Sequence, residues 1–328
     1  MYLKSWIKAI LVVVILGPVG WSCNNDLVVQ SSDNKELPVI SGVLELQRDT
    51  QYIRITRSFT GFASGLTSAK MEDSVYFPEA RIWLEKWNGD QIVSKAELVK
   101  AKVKPRSSGI FLSTPNWYYI LVRSPENEPL FTGTQSYHLT AEIPGLPLVY
   151  AQTAAYPHAL LHKPKLTFKL NLFMDPLDFE WSTRAPYEEF YFRLLYTDVY
   201  QDTAIAHKTD WREYHSTKNT RNGSVSVFGQ DLMKRIAVNI RNNPAVIYRY
   251  VTHLQIVVVG ISGELYEYRE MSQTLPSDQI GYPVTNIVNG IGLFCSQTET
   301  TFDLEIDQRS KDSIMNGQYT RHLNLRFY

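Results

Sequence analysis

From Val39 onward the chain alternates apolar and polar positions in short runs rich in β-branched and aromatic residues, and turn clusters separate the runs. In Tyr52 to Arg57, Ile53 and Ile55 take one face while Arg54 and Thr56 take the other. In Ala80 to Trp87, Ile82 and Leu84 oppose Trp83 and Trp87. Asn88-Gly89 follows as a hairpin signal, with Ile92 to Val99 as the returning strand. Tyr137 to Ile143 and Leu148 to Thr153 flank Pro144-Gly145-Leu146-Pro147 and predict another hairpin. Residues 37–156 are therefore expected to form an immunoglobulin-like β-sandwich of about seven strands.

The segment Pro157 to Pro164 reads as the boundary of a second β-rich domain, residues 157–328. Leu166, Phe168, Leu170 and Leu172 alternate like a strand. Leu177 to Trp181 and Glu189 to Tyr200 continue the pattern, with Trp181 as a core anchor where two sheets meet. Leu232, Met233, Ile236 and Ile240 fall at helical spacing, so a helix is expected over about 230–242, ended by Asn242-Asn243-Pro244. Tyr248 to Ile261 is apolar on both faces at its centre, as a strand beneath that helix should be. A shorter helix over Glu264 to Met271 has Ser262 as its expected N-cap. Ile291 to Cys295, Thr301 to Ile306 and Leu323 to Phe327 complete the predicted strands. The fold class is thus mainly β, a sandwich followed by a second β-rich domain carrying one or two helices.

The N-terminus has a different pattern. Lys4 and Lys8 precede the unbroken apolar run Ala9 to Leu16, which Gly17-Pro18 breaks before Trp21-Ser22-Cys23. This is the order of a secretory signal, residues 1–22. The apolar run is shorter than the roughly 20 residues a spanning helix needs. The position of Cys23 resembles a bacterial lipobox, in which cleavage precedes a cysteine whose sulfur is lipidated. Ser22 fits that pattern, and Gly20 stands where it usually has Leu, Ile or Val. Residues 23–36 then form a lipidated N-terminus and a polar tether with a reach on the order of 40 Å.

Charge excludes two classes of partner. Lys plus Arg and Asp plus Glu are each 33 among 328 residues, and loss of Lys4 and Lys8 leaves a net of −2, so the overall charge is expected to recruit neither nucleic acid nor an anionic membrane. Besides Cys23 there is one cysteine, Cys295 in an apolar run, which excludes a disulfide scaffold and reads as a small buried hydrophobe.

Candidate chemistry is sparse. His158 and His162 lie one helical turn apart but lack the glutamate of a zincin motif and any third ligand nearby. Asp303, Glu305 and Asp307 would share one strand face, without the loop pattern of a calcium site. Asp175, Asp178 and Glu180 near Trp181 invite a paired-carboxylate reading, though such acids are common in exposed turns. Nucleophile-elbow, P-loop and dinucleotide-binding glycine patterns are missing. No metal, cofactor or catalytic residue is expected. Trp117, Tyr118 and Tyr119, in an expected loop after Pro115, are the candidate ligand-binding aromatics, although β domains mostly use such rings for packing.

Several strings taken together carry a resemblance: Cys23, Gly109-Ile110-Phe111 before Pro115-Asn116, Tyr137-His138-Leu139, Leu177-x-Phe179-x-Trp181, and Asn289-Gly290-Ile291-Gly292-Leu293-Phe294. In this the chain resembles a family of Bacteroidota outer-membrane lipoproteins built on a domain of unknown function. The resemblance implies an envelope lipoprotein, held to outer-membrane lipid through Cys23 and often expected beside a TonB-dependent β-barrel transporter. It leaves open whether the periplasmic or the cell-surface face is occupied. The expectation is a lipid-anchored, non-enzymatic protein that binds a ligand or such a transporter. A surface structural or adhesion lipoprotein is the alternative, and a hydrolase assembled in space comes third.

Overall fold

Strands β1 (Pro38–Leu44) and β2 (Thr50–Arg57) turn Ile40, Leu44, Ile53 and Ile55 inward, each 2% exposed or less. These belong to a computed structural model that describes residues 37–58, 70–105, 107, 112–131, 135–216, 221–274 and 285–327. A short helix α1 (Glu72–Val75) precedes β3 (Arg81–Asn88), which turns at Gly89, φ 57°, into β4 (Gln91–Glu97). The chain then crosses to the first sheet as β5 (Val99–Val103) and β6 (Asn116–Val122). It returns to the second sheet as β7 (Ser136–Glu142) and β8 (Val149–Ala154). One sheet has the order β1-β2-β6-β5 and the other β4-β3-β7-β8. These are the A-B-E-D and C′-C-F-G orders of an immunoglobulin-type sandwich.

One side chain marks the pattern further. Tyr137, fully buried at the start of β7, donates its hydroxyl to the Leu130 carbonyl at 2.8 Å. A buried tyrosine at the start of the F strand, bonded back to the preceding corner, is the tyrosine corner of such sandwiches. Burial also raises the Tyr137 hydroxyl above its ordinary pKa, so it stays a donor.

The remaining strands are β9 (Leu160–Lys163), β10 (Leu177–Ser182), β11 (Tyr187–Val199), β12 (Ala204–His215) and β13 (Asn222–Val227). After helix α2 (Gly229–Asn239) come β14 (Tyr248–Ile261), α3 (Gly263–Thr274), β15 (Ile291–Leu304), α4 (Gln308–Asn316) and β16 (Leu325–Arg326). The small sheet β13-β10-β9 covers one face of the large sheet β12-β11-β14-β15. Trp181 of the small sheet stacks on Phe190 of the large one at 4.7 Å, both fully buried, as the expected anchor between sheets. Ile256 and Val258 face this core with Leu232 and Ile236 of α2. Val257, Val259 and Ile261 face the opposite side, under Leu265 of α3 and beside Cys295. Both faces of β14 are apolar because each is covered.

β15 joins the halves. Residues 291–296 pair in parallel with β1, and residues 297–304 pair antiparallel with β14. The large sheet therefore runs without a break from β12 to β5. Gly292 sits at φ 114° in the joint, where a Cβ would overlap the Ile40 carbonyl.

Several expectations need correction. The two strands expected at Ile291 to Cys295 and Thr301 to Ile306 are one strand. Leu166 to Leu172 is not a strand: Leu170 bridges Ile306 and Leu172 is buried, but Leu166 and Phe168 stand in solvent. Half of that alternation therefore marks core and half marks surface. Asp307 leaves the strand face and caps α4, accepting from the Ser310 amide at 2.7 Å. Ser262 holds the N-cap position of α3 as expected, its carbonyl accepting from the Tyr266 amide at 3.1 Å, but its hydroxyl accepts from the Ser296 amide at 3.3 Å and ties α3 to β15. Trp117, Tyr118 and Tyr119 lie on strand β6, not in a loop.

Candidate functional site

Because Ile82, Leu84, Tyr137 and Leu139 fill the sandwich core, period-two geometry sends Trp83, Trp87 and His138 to the outer face of the β4-β3-β7-β8 sheet. The Trp87 ring stacks on His138 at 4.7 Å and 16°, and its indole N–H donates to Glu85 Oε2 at 3.1 Å. Lys95 Nζ holds the other Glu85 oxygen at 2.7 Å, which satisfies a carboxylate that is only 7% exposed. Trp83 carries the Arg81 guanidinium at 4.9 Å and the Lys95 ammonium at 5.2 Å from its ring centre. Arg81 in turn makes a two-bonded pair with Glu97, at 2.9 and 3.0 Å. Tyr150 and Gln152, both exposed, extend the face along β8. Burial pulls the His138 pKa below its ordinary value, against an upward pull from Glu85, so the ring stacked on Trp87 is neutral at pH 7. The result is a flat aromatic face whose charges are already paired. Tryptophan, tyrosine and arginine in that arrangement are what macromolecular interfaces concentrate.

A second feature opens where β15 leaves its partner. β14 pairs with β15 from Leu254 onward and with β16 at Arg249 and Tyr250, so neither strand pairs with 251–253. β14 also shifts register there against β11. The gap is a cleft of about 450 Å³ lined by His253, Asp303, Glu305, Lys169 and Lys311, among others. His253 Nδ1 lies 3.2 Å from Asp303 Oδ1, and Gln255 also donates to Asp303 at 2.8 Å.

The residues singled out in the sequence are dispersed. Cys23 lies outside the described residues. On β6, Trp117 and Tyr119 share the inner side and Tyr118 points the opposite way, so the three rings do not form one surface. Tyr119 is core, Trp117 donates to Glu72 at 2.7 Å, and Tyr118 meets Tyr52 edge-on at 6.1 Å. His158 faces Thr300 and His162 faces Ser182. Asp175 accepts from the Gly229 amide, Asp178 from Ser226, and Glu180 pairs with Lys163, so each acid has a separate partner. Asp303 and Glu305 share the cleft without Asp307. Among the described residues no group of three or more His, Cys, Asp or Glu is placed to hold a metal ion. Cys295 is fully buried, and burial pushes its thiol up to about 12.

Charges on the outer side of the large sheet are tied to one another. Arg193 donates to both oxygens of Asp210, at 2.8 and 2.9 Å, and to Glu299 at 2.5 Å. The Asp210 hydrogen bond, opposed by burial and aided by Glu299, holds the guanidinium above its ordinary pKa. Burial pushes both carboxyls up, but Arg193 outweighs it and holds Asp210 and Glu299 below their ordinary values. Nearby, buried Glu189 accepts from Tyr191, Arg212 and Arg269. This network joins β11, β12, β15 and α3, and reads as structure.

Sequence reasoning passed over the Trp83, Trp87 and His138 face, although the signal was there. Once Ile82 and Leu84 are assigned inward, both indoles have to face out. No curated protein matches the chain. The family model described as Domain of unknown function (DUF4249) matches residues 25–303, and the chain belongs to that family.

Proposed function

We propose that this is a lipid-anchored cell-envelope protein, non-enzymatic, that binds a ligand or a TonB-dependent transporter partner in the outer membrane. The observation that carries the binding role is the outer face of the β4-β3-β7-β8 sheet, where Trp83 and Trp87 are half-buried rather than packed inside. Cross-strand packing accounts for part of this, since Trp87 stacks on His138, but it leaves two indoles and their cations on one accessible face. The anchor reading rests on the basic and apolar run that ends at Cys23 and on the polar tether behind it. The family match begins at residue 25, so this leader lies outside the matched domain, which supports reading it as an address.

Two measurements test the proposal. Mass spectrometry of the mature N-terminus is expected to find a lipid-modified Cys23, and an unmodified terminus starting elsewhere would remove the anchor. Affinity capture of the tagged chain from solubilised outer membrane is expected to bring down a β-barrel transporter. Trp83→Ala with Trp87→Ala should lose that capture while the variant, though less stable, keeps the parent's circular dichroism and unfolds cooperatively. Capture unchanged by the double substitution would move the binding face elsewhere.

A further inference from the structure

The loop between β9 and β10 displays several large apolar side chains. Phe168 is 74% exposed, Met174 69%, Leu166 48% and Phe173 45%. Phe228, 54% exposed, joins them, because the next residue, Gly229, gives its amide to Asp175 of the same loop at 2.7 Å. The loop is pinned. Leu170 and Leu172 sit in the core, and the Leu170 amide donates to the Glu305 carbonyl at 2.6 Å. The Asp307 amide donates back to Leu170 at 3.0 Å, and the Leu172 amide donates to Ser310 Oγ at 2.9 Å. Fixed in this way, the loop holds four large apolar groups in water, which is unfavourable unless something covers them.

Charge identifies the cover. Lys165 and Lys169 flank Leu166 and Phe168, both exposed, and the Arg309 guanidinium lies 4.1 Å over the Phe173 ring. The one acid of the loop, Asp175, is spent on the Gly229 amide. Asp303 and Glu305 line the neighbouring cleft, where Lys169 and Lys311 stand beside them. Aromatic and aliphatic groups ringed by cations suit the boundary between acyl chains and anionic headgroups. We propose that residues 165–176, with Phe228, are a membrane-contacting tip that inserts Leu166, Phe168 and Met174 into a lipid surface bearing anionic headgroups. This contact is separate from any lipid at Cys23. The tip lies at the Leu304 end of β15, whereas β1 begins beside Ile291, at the other end of that strand. An anchored molecule lying along the membrane would touch it at both ends.

The test uses the full chain with Thr167→Cys labelled by an environment-sensitive fluorophore, and the unsubstituted chain as labelling control. Vesicles of phosphatidylcholine are compared with vesicles of phosphatidylcholine and phosphatidylglycerol. The expected result is blue-shifted emission and quenching by shallow spin-labelled lipid, stronger on the anionic vesicles and reversed by salt. Lys165→Glu with Lys169→Glu should weaken binding to the anionic vesicles about tenfold or more. Phe168→Asp with Met174→Asp should abolish the shift, with circular dichroism unchanged because both side chains are exposed. A probe that stays in water on both vesicle types overturns the tip. If the chain still sediments with those vesicles, the anchor survives and only the tip fails. A shift that needs no vesicles and grows with protein concentration identifies a second copy as the cover, and also overturns the proposal.

Discussion

Arg249 Nε stands 3.0 Å from Asp198 Oδ1 with the two side chains 2% and 9% exposed. The same guanidinium donates to the Leu323 carbonyl at 2.8 Å and the Arg241 carbonyl at 3.0 Å. One side chain thus ties β11 and β14 to the turn before β16 and to the segment after α2. A buried ion pair adds little over a packed apolar pair, but breaking it leaves one charge stranded. Arg249→Leu is therefore expected to cost about 3–5 kcal/mol in urea unfolding. Adding Asp198→Asn should recover part of that loss, and a single variant as stable as the parent would refute the assignment.

Tyr137→Phe removes the donor of the corner and leaves the Leu130 carbonyl without it in a buried place. The expected loss is about 1–3 kcal/mol, read as a lower urea midpoint at unchanged slope. A neutral result would mean that water replaces the hydroxyl.

Gly292→Ala tests the joint between the halves. A Cβ at φ 114° is strained and overlaps the Ile40 carbonyl, so the β1 to β15 pairing has to shift. A loss of more than about 3 kcal/mol is expected. Hydrogen exchange should show β1 and residues 291–296 deprotected first.

His138 sets a pH dependence. Its folded pKa lies below the ordinary 6.5 because burial disfavours the cation, so the unfolded chain takes up the proton first as pH falls. Stability from this residue is complete above about 6.5 and declines as pH drops through that value toward the folded pKa. His138→Gln should flatten that part of the difference between parent and variant melting curves. Identical slopes would rule the residue out.

The sandwich was legible because its faces are unambiguous. Ile53 with Ile55, Ile82 with Leu84, and the Asn88-Gly89 turn each leave one possible register. In the second half β14 was legible from its length and its apolar centre, whereas β15 changes partner midway, so its polar centre from Gln297 to Thr301 reads as a break. Leu166 to Leu172 misled in the opposite sense. Alternation there separates buried Leu170 and Leu172 from displayed Phe168, and no rule of pattern tells a strand from a pinned loop that does this. The Trp83 and Trp87 face was implied by Ile82 and Leu84 opposite them, but the two indoles were not read as a surface. The cleft was hidden, since it depends on where two strands stop beside a third.

The shared strand also imposes an order in time. During synthesis β1 to β8 emerge long before residues 291–296, so the outer edge of β1 waits unpaired for almost the whole length of the chain. An open edge of alternating Ile40, Gly42 and Leu44 is a template for any passing strand. The capture of β1 by β15 is therefore a late step of folding, a contact of very long sequence separation and correspondingly slow closure. Until then the protein depends on escort or on speed to avoid pairing with a neighbour.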